Sequence, residues 1–382
     1  MRVGAGLSRT PEPGVAAVEA ADAAAQALAG APVDLAVVFA GPSHTDDLVD
    51  VGLGVATRLD PGCLIGAVAQ GVVGPAAEVE QGPAVSVWCA SFGGGEARPF
   101  RAWAARPQDG GVVVMGWPDS RPGDVTLVLA DPFTFPVADV TARLGRERPG
   151  QPVVGGMVTG GPHRSRLLLD GDLHEDGAVG VVLSDVDVDA VVSQGCRPVG
   201  PPLTVTGAEH NLITSLAGED ATVVLQRIFD EAGDTDRRLL ASGLQIGLVV
   251  DEYRDEFSTG DFLIRAVLGA DGSRRALAIG DVVRPGQTVQ FQVRDPASAS
   301  DDLVAAIADG RGPAAGTLLF TCNGRGQRFF GAPDRDVTTV ERELGGAVAG
   351  AFCAGEIGPV GDHSFVHGFT ASLAVFRRDV EA

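Results

Sequence analysis

Short apolar runs recur along the chain, each with the same elements around it. Three of them open a unit with a strand, at 35–40, 125–130 and 316–321. Each is followed by a turn and an Asp-rich helical stretch, then by a second strand and by a closing strand entered through a glycine. The pattern predicts three β-α-β-β units, duplicates of one supersecondary unit, over about 34–92, 125–184 and 316–376.

Glycines mark the second strand of each unit at one spacing. The pairs are Gly66 and Gly71, Gly155 and Gly160, and Gly350 and Gly355. Glycine permits a positive φ or the close approach of a neighbouring backbone. We therefore expect the three units to superpose, with these glycines at equivalent positions.

The region between the second and third units, 185–315, has its own pattern. It predicts a strand at 203–206, helices near 218–232 and 300–309, and apolar strands at 244–250, 262–268, 276–280 and 287–294. The region is either an inserted domain or a diverged fourth unit, and we favour the second. The Gly- and Pro-rich stretch 93–123 predicts an exposed connector between the first two units.

These elements predict an α+β fold, a layered sandwich of mixed β-sheets flanked by helices and built from the repeated units. We expect two domains. Residues 1–195 would hold the first two units, and residues 196–382 would hold the diverged strands with the third unit.

Composition narrows the function classes. The 382 residues carry a net charge of -21 and include no lysine, which disfavours nucleic-acid and anionic-membrane partners and excludes a P-loop. No apolar stretch is long enough to span a membrane, so we expect a cytoplasmic protein. Five widely spaced cysteines form no CxxC pair. We therefore expect no metal site, no disulfide framework and no cofactor.

The third unit departs from the other two at the turn after its first strand. Gly41-Pro-Ser-His44 and Asp131-Pro-Phe-Thr134 stand where the third unit has Cys322-Asn323-Gly324-Arg325-Gly326. The glycines would let the backbone approach a ligand, Asn323 offers a donor and an acceptor, and Arg325 offers a planar fork suited to a carboxylate. The alternative is a tight Asn-Gly turn whose arginine is merely solvated. A turn arginine should bury little area, so we expect folding to depend little on Arg325.

Further candidates accompany this turn. Cys353 and Glu356 replace neutral residues of the other units, and His367 precedes the glycine of the closing strand. In the linking region, Arg265 and Arg294 stand near the ends of apolar strands, where they are either edge residues or two charges that converge on an anion. A buried cysteine is usually inert, so Cys353 is a packing residue or a reactive thiol.

The C-terminal run resembles the FIST-C domain. The resemblance rests on Asn323-Gly-Arg-Gly, Phe330-Gly-Ala-Pro-Asp-Arg-Asp336, Gly350-Ala-Phe-Cys-Ala-Gly-Glu-Ile-Gly358 and Phe365-Val-His-Gly-Phe-Thr370, and the front of the same domain is similar to 261–295. Residues 34–184 are similar in layout to FIST-N. The resemblance implies a sensory module that binds small ligands such as amino acids. No kinase, receiver, cyclase or F-box segment accompanies it here.

We favour a binding protein for a small anionic or zwitterionic metabolite such as an amino acid, signalling through an unknown protein partner. The main alternative is an enzyme acting on a small carbonyl substrate, with Cys322 or Cys353 as nucleophile and His367 as base. A third possibility is a structural or assembly role. The sequence leaves the oligomeric state open.

Overall fold

A computed structural model of the chain describes residues 1–107, 110–161, 165–254, 256–308 and 311–378. The chain divides into two compact units. Unit 1 comprises Met1–Val192, Leu303–Val366 and the chain from Thr370 onward, whereas unit 2 comprises Ser193–Asp302 and His367–Phe369.

The elements follow one another along the chain in four groups. The first copy has β1 Arg2–Ser8, α1 Pro13–Gln26, β2 Leu35–Ala40, a 3-10 turn Pro42–His44, α2 Leu48–Leu59, β3 Leu64–Val68, β4 Val72–Gly74, β5 Ala77–Val79 and β6 Val85–Ser91. The second has β7 Glu96–Ala105, β8 Val113–Met115, β9 Val125–Ala130, α3 Val137–Glu147, β10 Val153–Met157, β11 Leu167–Leu169, β12 Asp172–His174 and β13 Ala178–Ser184. The region after it has β14 Val188–Gln194, β15 Cys196–Pro198, β16 Leu203–Glu209, β17 Leu212–Leu216, β18 Glu219–Asp220, α4 Ala221–Glu231, α5 Asp234–Gly243, β19 Leu244–Val249, a 3-10 turn Thr259–Asp261, β20 Phe262–Asp271, β21 Ala276–Ile279, β22 Thr288–Arg294 and α6 Pro296–Ala308. The third copy has β23 Ala314–Cys322, α7 Gln327–Phe330, α8 Arg335–Leu344, β24 Ala347–Cys353, β25 Gly355–Val360, β26 His363–His367 and β27 Thr370–Arg377.

The three copies share one strand order, which confirms the predicted repeat. In each, the first strand lies parallel to the second and antiparallel to the closing strand, giving the orders β6-β2-β3, β13-β9-β10 and β27-β23-β24. A further strand flanks the closing strand in every sheet, namely β1, β7 and β14. The unit is larger than predicted, because a hairpin stands between its second and closing strands.

These hairpins are exchanged in a cycle. The hairpin β4-β5 of the first copy extends the third sheet at β24, β11-β12 of the second extends the first sheet at β3, and β25-β26 of the third extends the second sheet at β10. Each copy therefore completes the sheet of another, so no copy has its whole sheet alone.

The cores explain the layering. One cluster is lined by inward-facing residues of all three sheets, including the equivalent Phe39, Leu129 and Phe320, and the rings of Phe39 and Phe320 meet edge to face at 6.1 Å. Helices cover the outer faces: α1 and α2 on the first sheet, α3 on the second, and α6 and α8 on the third. The predicted α+β fold of mixed sheets flanked by helices is confirmed.

Backbone crowding explains the first glycine of each of the three pairs. Gly66, Gly155 and Gly350 pair with Val38, Val128 and Leu319 of the parallel first strands. A Cβ on Gly350 would stand 1.8 Å from the Leu319 carbonyl oxygen, and one on Gly155 would stand 1.9 Å from that of Val128. Only glycine fits without a shift of the backbone.

Unit 2 is an antiparallel barrel. Strand pairings run β22-β16-β17-β21-β20-β19 and close because β19 also pairs with β22. Its interior is apolar and is extended by residues of α4 and α5, including Val224, Ile228 and Leu240. Every strand pairing described in this sheet is antiparallel, so the region lacks the parallel pair of the other units. The expectation of a diverged fourth unit is therefore wrong, although the strands and helices fall close to their predicted positions.

The expected connector 93–123 is also wrong in part. In the ten-residue strand β7, residues 96–102 pair with β13 and residues 103–105 pair with β8. Residues 108 and 109 of that stretch lie outside the described residues. Within the described part of the chain, no helix has the length and apolar character needed to cross a membrane.

Candidate functional site

The turn after β23 folds back onto the end of its own strand. Cys322, the last residue of β23, is the register partner of Cys353 at the end of β24. The Asn323 N–H donates to the Cys353 carbonyl at 2.8 Å, and the Arg325 N–H donates to the Cys322 carbonyl at 2.8 Å. The Gly324 N–H points at Cys322 Sγ, 3.4 Å away. This local hydrogen bonding directs the Arg325 side chain inward.

Arg325 is buried in a bidentate ion pair. Its Nε and Nη2 donate to Asp336 Oδ2 and Oδ1, both at 2.8 Å, and both side chains are 1% exposed. Asp336 also accepts from Thr321 Oγ1 at 2.7 Å, and the guanidinium lies 5.2 Å from the centre of the Phe330 ring. The alternative of a solvated turn arginine is therefore wrong, and so is the expectation that Arg325 buries little area and matters little to folding.

Gly326 does provide a close approach, but to a carboxylate of the chain itself. Its φ is +90°, and a Cβ there would lie 2.8 Å from the Glu80 carboxyl group. Glu80 Oε1 accepts from the Gln327 N–H at 2.7 Å. Glu80 directly follows the hairpin β4-β5, so a residue of the first copy binds the backbone of this turn.

Glu356 carries a carboxyl group into the shared core. By register it occupies the place that Val72 and Leu167 hold in the other two copies. Its Oε2 accepts from the Thr370 N–H at 3.1 Å and from Thr370 Oγ1 at 2.8 Å. Burial raises the pKa of Glu356 to about 8, although Thr370, the Arg325 charge and the nearby Cys322 thiol all lower it.

Glu78 is a second buried carboxyl, on β5 at the N-terminus of α8. Its Oε1 accepts from the Val337 N–H at 2.9 Å. Burial, together with the negative charge of Asp336, raises the pKa of Glu78 to about 8. Two carboxyl groups, those of Asp336 and Glu356, therefore lie near the Arg325 guanidinium, and burial favours protonation of Glu356 and of Glu78.

Three polar atoms beside the turn are buried without a hydrogen-bond partner. They are Asn323 Oδ1, Arg325 Nη1 and Glu356 Oε1. Asn323 and Gly324 are half-buried, whereas Arg325 is buried, so this turn brings the three atoms nearest to solvent. Unpaired buried polar atoms are rare in folded proteins and call for a water, an ion or a ligand. We call Asn323, Arg325 and Glu356 the β23 cluster.

Cys353 lies against the same cluster but is not poised as a nucleophile. Its side chain is fully buried, and its Sγ donates to the Ala351 carbonyl at 3.5 Å. Burial raises the pKa of the Cys353 thiol well above its ordinary value, with the neighbouring Glu356 and Cys322 acting in the same direction. A neutral thiol is a poor nucleophile.

The remaining candidates, Arg265, Arg294 and His367, belong to unit 2. Arg265 pairs with Asp281 at 2.7 Å, and Arg294 lies 4.6 Å from the centre of the Phe369 ring. His367 is buried.

The two arginines do not converge on one anion. Arg265 is opposite Ile246, on the barrel face that forms the interior, whereas Arg294 is opposite Cys196, which packs in a separate cluster on the other face. Side chains alternate between the faces of a strand, so register alone separates these charges.

Arg325 has an equivalent position in each of the other copies, but several of its neighbours are not marked by the repeat. Arg325 is equivalent to His44 and Thr134, six residues beyond the paired positions Leu319, Val38 and Val128. Asp336, Thr321, Thr370 and Glu78 were not identified as site residues. Asp336 and Thr370 lie within the runs that carry the resemblance, and an acidic residue in the first turn of a helix was the available signal for Asp336.

Metal chemistry finds no support in the described ranges. No group of three or more His, Cys, Asp and Glu side chains there is arranged to hold a metal ion.

Comparison with known proteins identifies the family of this chain. Family models match for the FIST N domain over residues 34–219 and for the FIST C domain over residues 221–359. The uncharacterized protein MT0656 of Mycobacterium tuberculosis (strain CDC 1551 / Oshkosh) is 46% identical over 383 residues, covering 98% of this chain and 100% of its own. The uncharacterized protein Mb0898c of Mycobacterium bovis is 45% identical over 390 residues, covering 100% of both. FIST domains are sensory domains that bind small ligands. The chain belongs to the FIST family.

Proposed function

We propose that the protein binds a small zwitterionic metabolite, of the α-amino acid class, at the β23 cluster. The observation that carries the proposal is the set of three unpaired buried atoms, which are of complementary kinds. Arg325 Nη1 is a donor, Asn323 Oδ1 is an acceptor, and Glu356 Oε1 becomes an acceptor when Glu356 gives up its proton.

An amino acid satisfies all three atoms at once. Its carboxylate would accept from Arg325 Nη1, and its ammonium group would donate to Asn323 Oδ1 and Glu356 Oε1. Hydrogen bonds to charged groups contribute about 1.5–3 kcal/mol each, so the pairing would offset the cost of three buried unpaired atoms. A simple carboxylate would leave Asn323 Oδ1 without a donor.

Asp336 gives Arg325 a fixed orientation in this scheme. The bidentate pair leaves Nη1 as the one guanidinium nitrogen without a partner. Pre-organisation of this kind lowers the entropy cost of binding. Because Asn323 and Gly324 are half-buried, we infer that the ligand enters at this turn, and that its occupancy is what a signalling partner would read.

Calorimetric titration tests the proposal. The panel comprises amino acids of graded size, their matched carboxylic acids without the amine, and their matched amines without the carboxylate. Wild type should bind an amino acid more tightly than either half-molecule, and Asn323→Ala and Glu356→Gln should each weaken that binding.

Glu78→Gln is the matched control, since Glu78 is another buried carboxyl with a raised pKa and one unpaired oxygen. It should leave affinity unchanged. Equal affinity of wild type, Asn323→Ala and Glu356→Gln for every binder would place the ligand elsewhere.

A further inference from the structure

We propose that Cys322 and Cys353 form a dithiol pair that a small-molecule disulfide converts into a reversible Cys322–Cys353 bond at the β23 cluster. Bond formation is independent of the proposed function. Only its effect on ligand binding rests on that function.

Register places the two thiols side by side. Cys322 and Cys353 are partners in the parallel pair β23 and β24, so their side chains leave the same face of the sheet. Neighbouring strands lie about 4.8 Å apart, within the range of about 4.4–6.8 Å that Cα atoms of a disulfide span. A bond between directly paired positions needs some local adjustment, and strain of this kind makes a disulfide easier to reduce.

Cys322 is suited to react first. The Gly324 N–H donates to its Sγ at 3.4 Å, and the Arg325 guanidinium interacts with it electrostatically. Both groups attract a negatively charged sulfur, whereas the hydrogen bond between the Cys322 thiol and Glu356 favours the protonated form. Cys322 is 9% exposed, whereas the other four cysteines are 2% exposed or less. Burial raises the pKa of Cys63 and of Cys89 to about 12, so these thiols stay protonated.

The thiol–disulfide exchange is balanced in atoms and electrons and needs no cofactor. The Cys322 thiolate attacks one sulfur of the reagent, the reagent's S–S bond breaks, and one reagent thiolate leaves with the electron pair. The departing reagent thiolate takes the proton of the Cys353 thiol, which is neutral at rest. The Cys353 thiolate formed in this way attacks the Cys322 sulfur and expels the second reagent thiolate, which takes up the proton that Cys322 had released to solvent. Two protein thiols are oxidised, and one disulfide is reduced to two thiols.

Such a bond would alter the β23 cluster. Cys322 Sγ would leave the Gly324 N–H and move from Glu356 toward Cys353, which removes contacts that hold the turn over the unpaired atoms. The oxidised protein should therefore bind the amino acid ligand less tightly than the reduced protein.

The test treats the full-length native protein with oxidised glutathione and maps cysteine-containing peptides by mass spectrometry. Wild type should yield the Cys322–Cys353 crosslink, reversed by dithiothreitol. Cys353→Ser should stop at glutathione attached to Cys322, and Cys322→Ser should stay unmodified. Stable glutathione on Cys322 of wild type, or first reaction at Cys196, would overturn the proposal.

Titration of both redox forms separates the two claims. Reduced protein that binds an amino acid and oxidised protein that binds it less tightly would support the effect on the site. Equal binding by both forms would overturn that effect. A crosslink in a protein that binds no member of the panel would leave the dithiol pair standing and remove the proposed function.

Discussion

Arg325 and Asp336 form a bidentate ion pair with two contacts of 2.8 Å, and each side chain is 1% exposed. The pair joins the turn after β23 to the first turn of α8. It fixes the guanidinium, whose Nη1 is buried without a hydrogen-bond partner, so it serves the fold and the candidate site together.

Arg325→Ala should therefore destabilise the protein by about 3–5 kcal/mol, because it leaves the Asp336 charge buried and uncompensated. Arg274→Ala is the control. Arg274 pairs with Glu209 but is 55% exposed, so its removal should cost no more than about 1 kcal/mol. Chemical denaturation of both variants measures the difference. Similar free energies of unfolding for the two variants would show that the buried pair contributes little.

Glu356 and Glu78 should make the protein less stable as the pH rises. Both groups have a pKa near 8 in the folded chain against an ordinary value of 4.5, so the folded state holds their protons where the unfolded state has lost them. Their stabilising contribution is present below pH 4.5 and is lost between there and pH 8, by at most about 1.4 kcal/mol per pH unit for each group.

The measurement is the free energy of unfolding across this pH window. Glu356→Gln and Glu78→Gln should each flatten the decline, since neither glutamine titrates. A decline of the same slope in the wild type and both variants would assign it to other groups.

Ligand binding should release a proton near pH 7. Glu356 is largely protonated there, and an ammonium group beside it would lower its pKa. Calorimetry in buffers of different ionisation enthalpy detects the release as a buffer-dependent heat. The dependence should vanish in Glu356→Gln. Proton uptake instead of release would indicate a purely anionic ligand.

Gly350→Ala should destabilise the third sheet by about 1–3 kcal/mol, because the new Cβ would stand 1.8 Å from the Leu319 carbonyl oxygen. Gly272→Ala is the control, since a Cβ there meets no atom within 4 Å. Thermal unfolding of both variants checks the difference. An unchanged midpoint for Gly350→Ala would mean that the strands can separate without cost.

The repeat could be predicted from the sequence because its glycines meet a local steric requirement. Gly66, Gly155 and Gly350 each meet the backbone of the strand paired beside them, so their spacing records the parallel pair directly. The exchange of hairpins has no such signature in the sequence. The hairpin strands β4, β11 and β25 are short and apolar, and nothing in their pattern says which copy's sheet they join.

The environment of Arg325 was likewise beyond the sequence. Asn-Gly-Arg-Gly has the composition of an exposed turn, and its burial comes from distant residues. Glu80 and Glu78, which bind the N-termini of α7 and α8, arrive from the first copy through the exchanged hairpin. A contact between residues about 250 positions apart cannot be read from local periodicity.

Native mass spectrometry of the protein with the amino acid panel tests the central claim most directly. We expect the wild type to form an adduct with the mass of one amino acid. The Glu78→Gln variant should form the same adduct, whereas the Asn323→Ala and Glu356→Gln variants should lose it. An adduct that survives in all four proteins, or a wild type that binds no amino acid of the panel, would contradict the assignment of the β23 cluster as the ligand site.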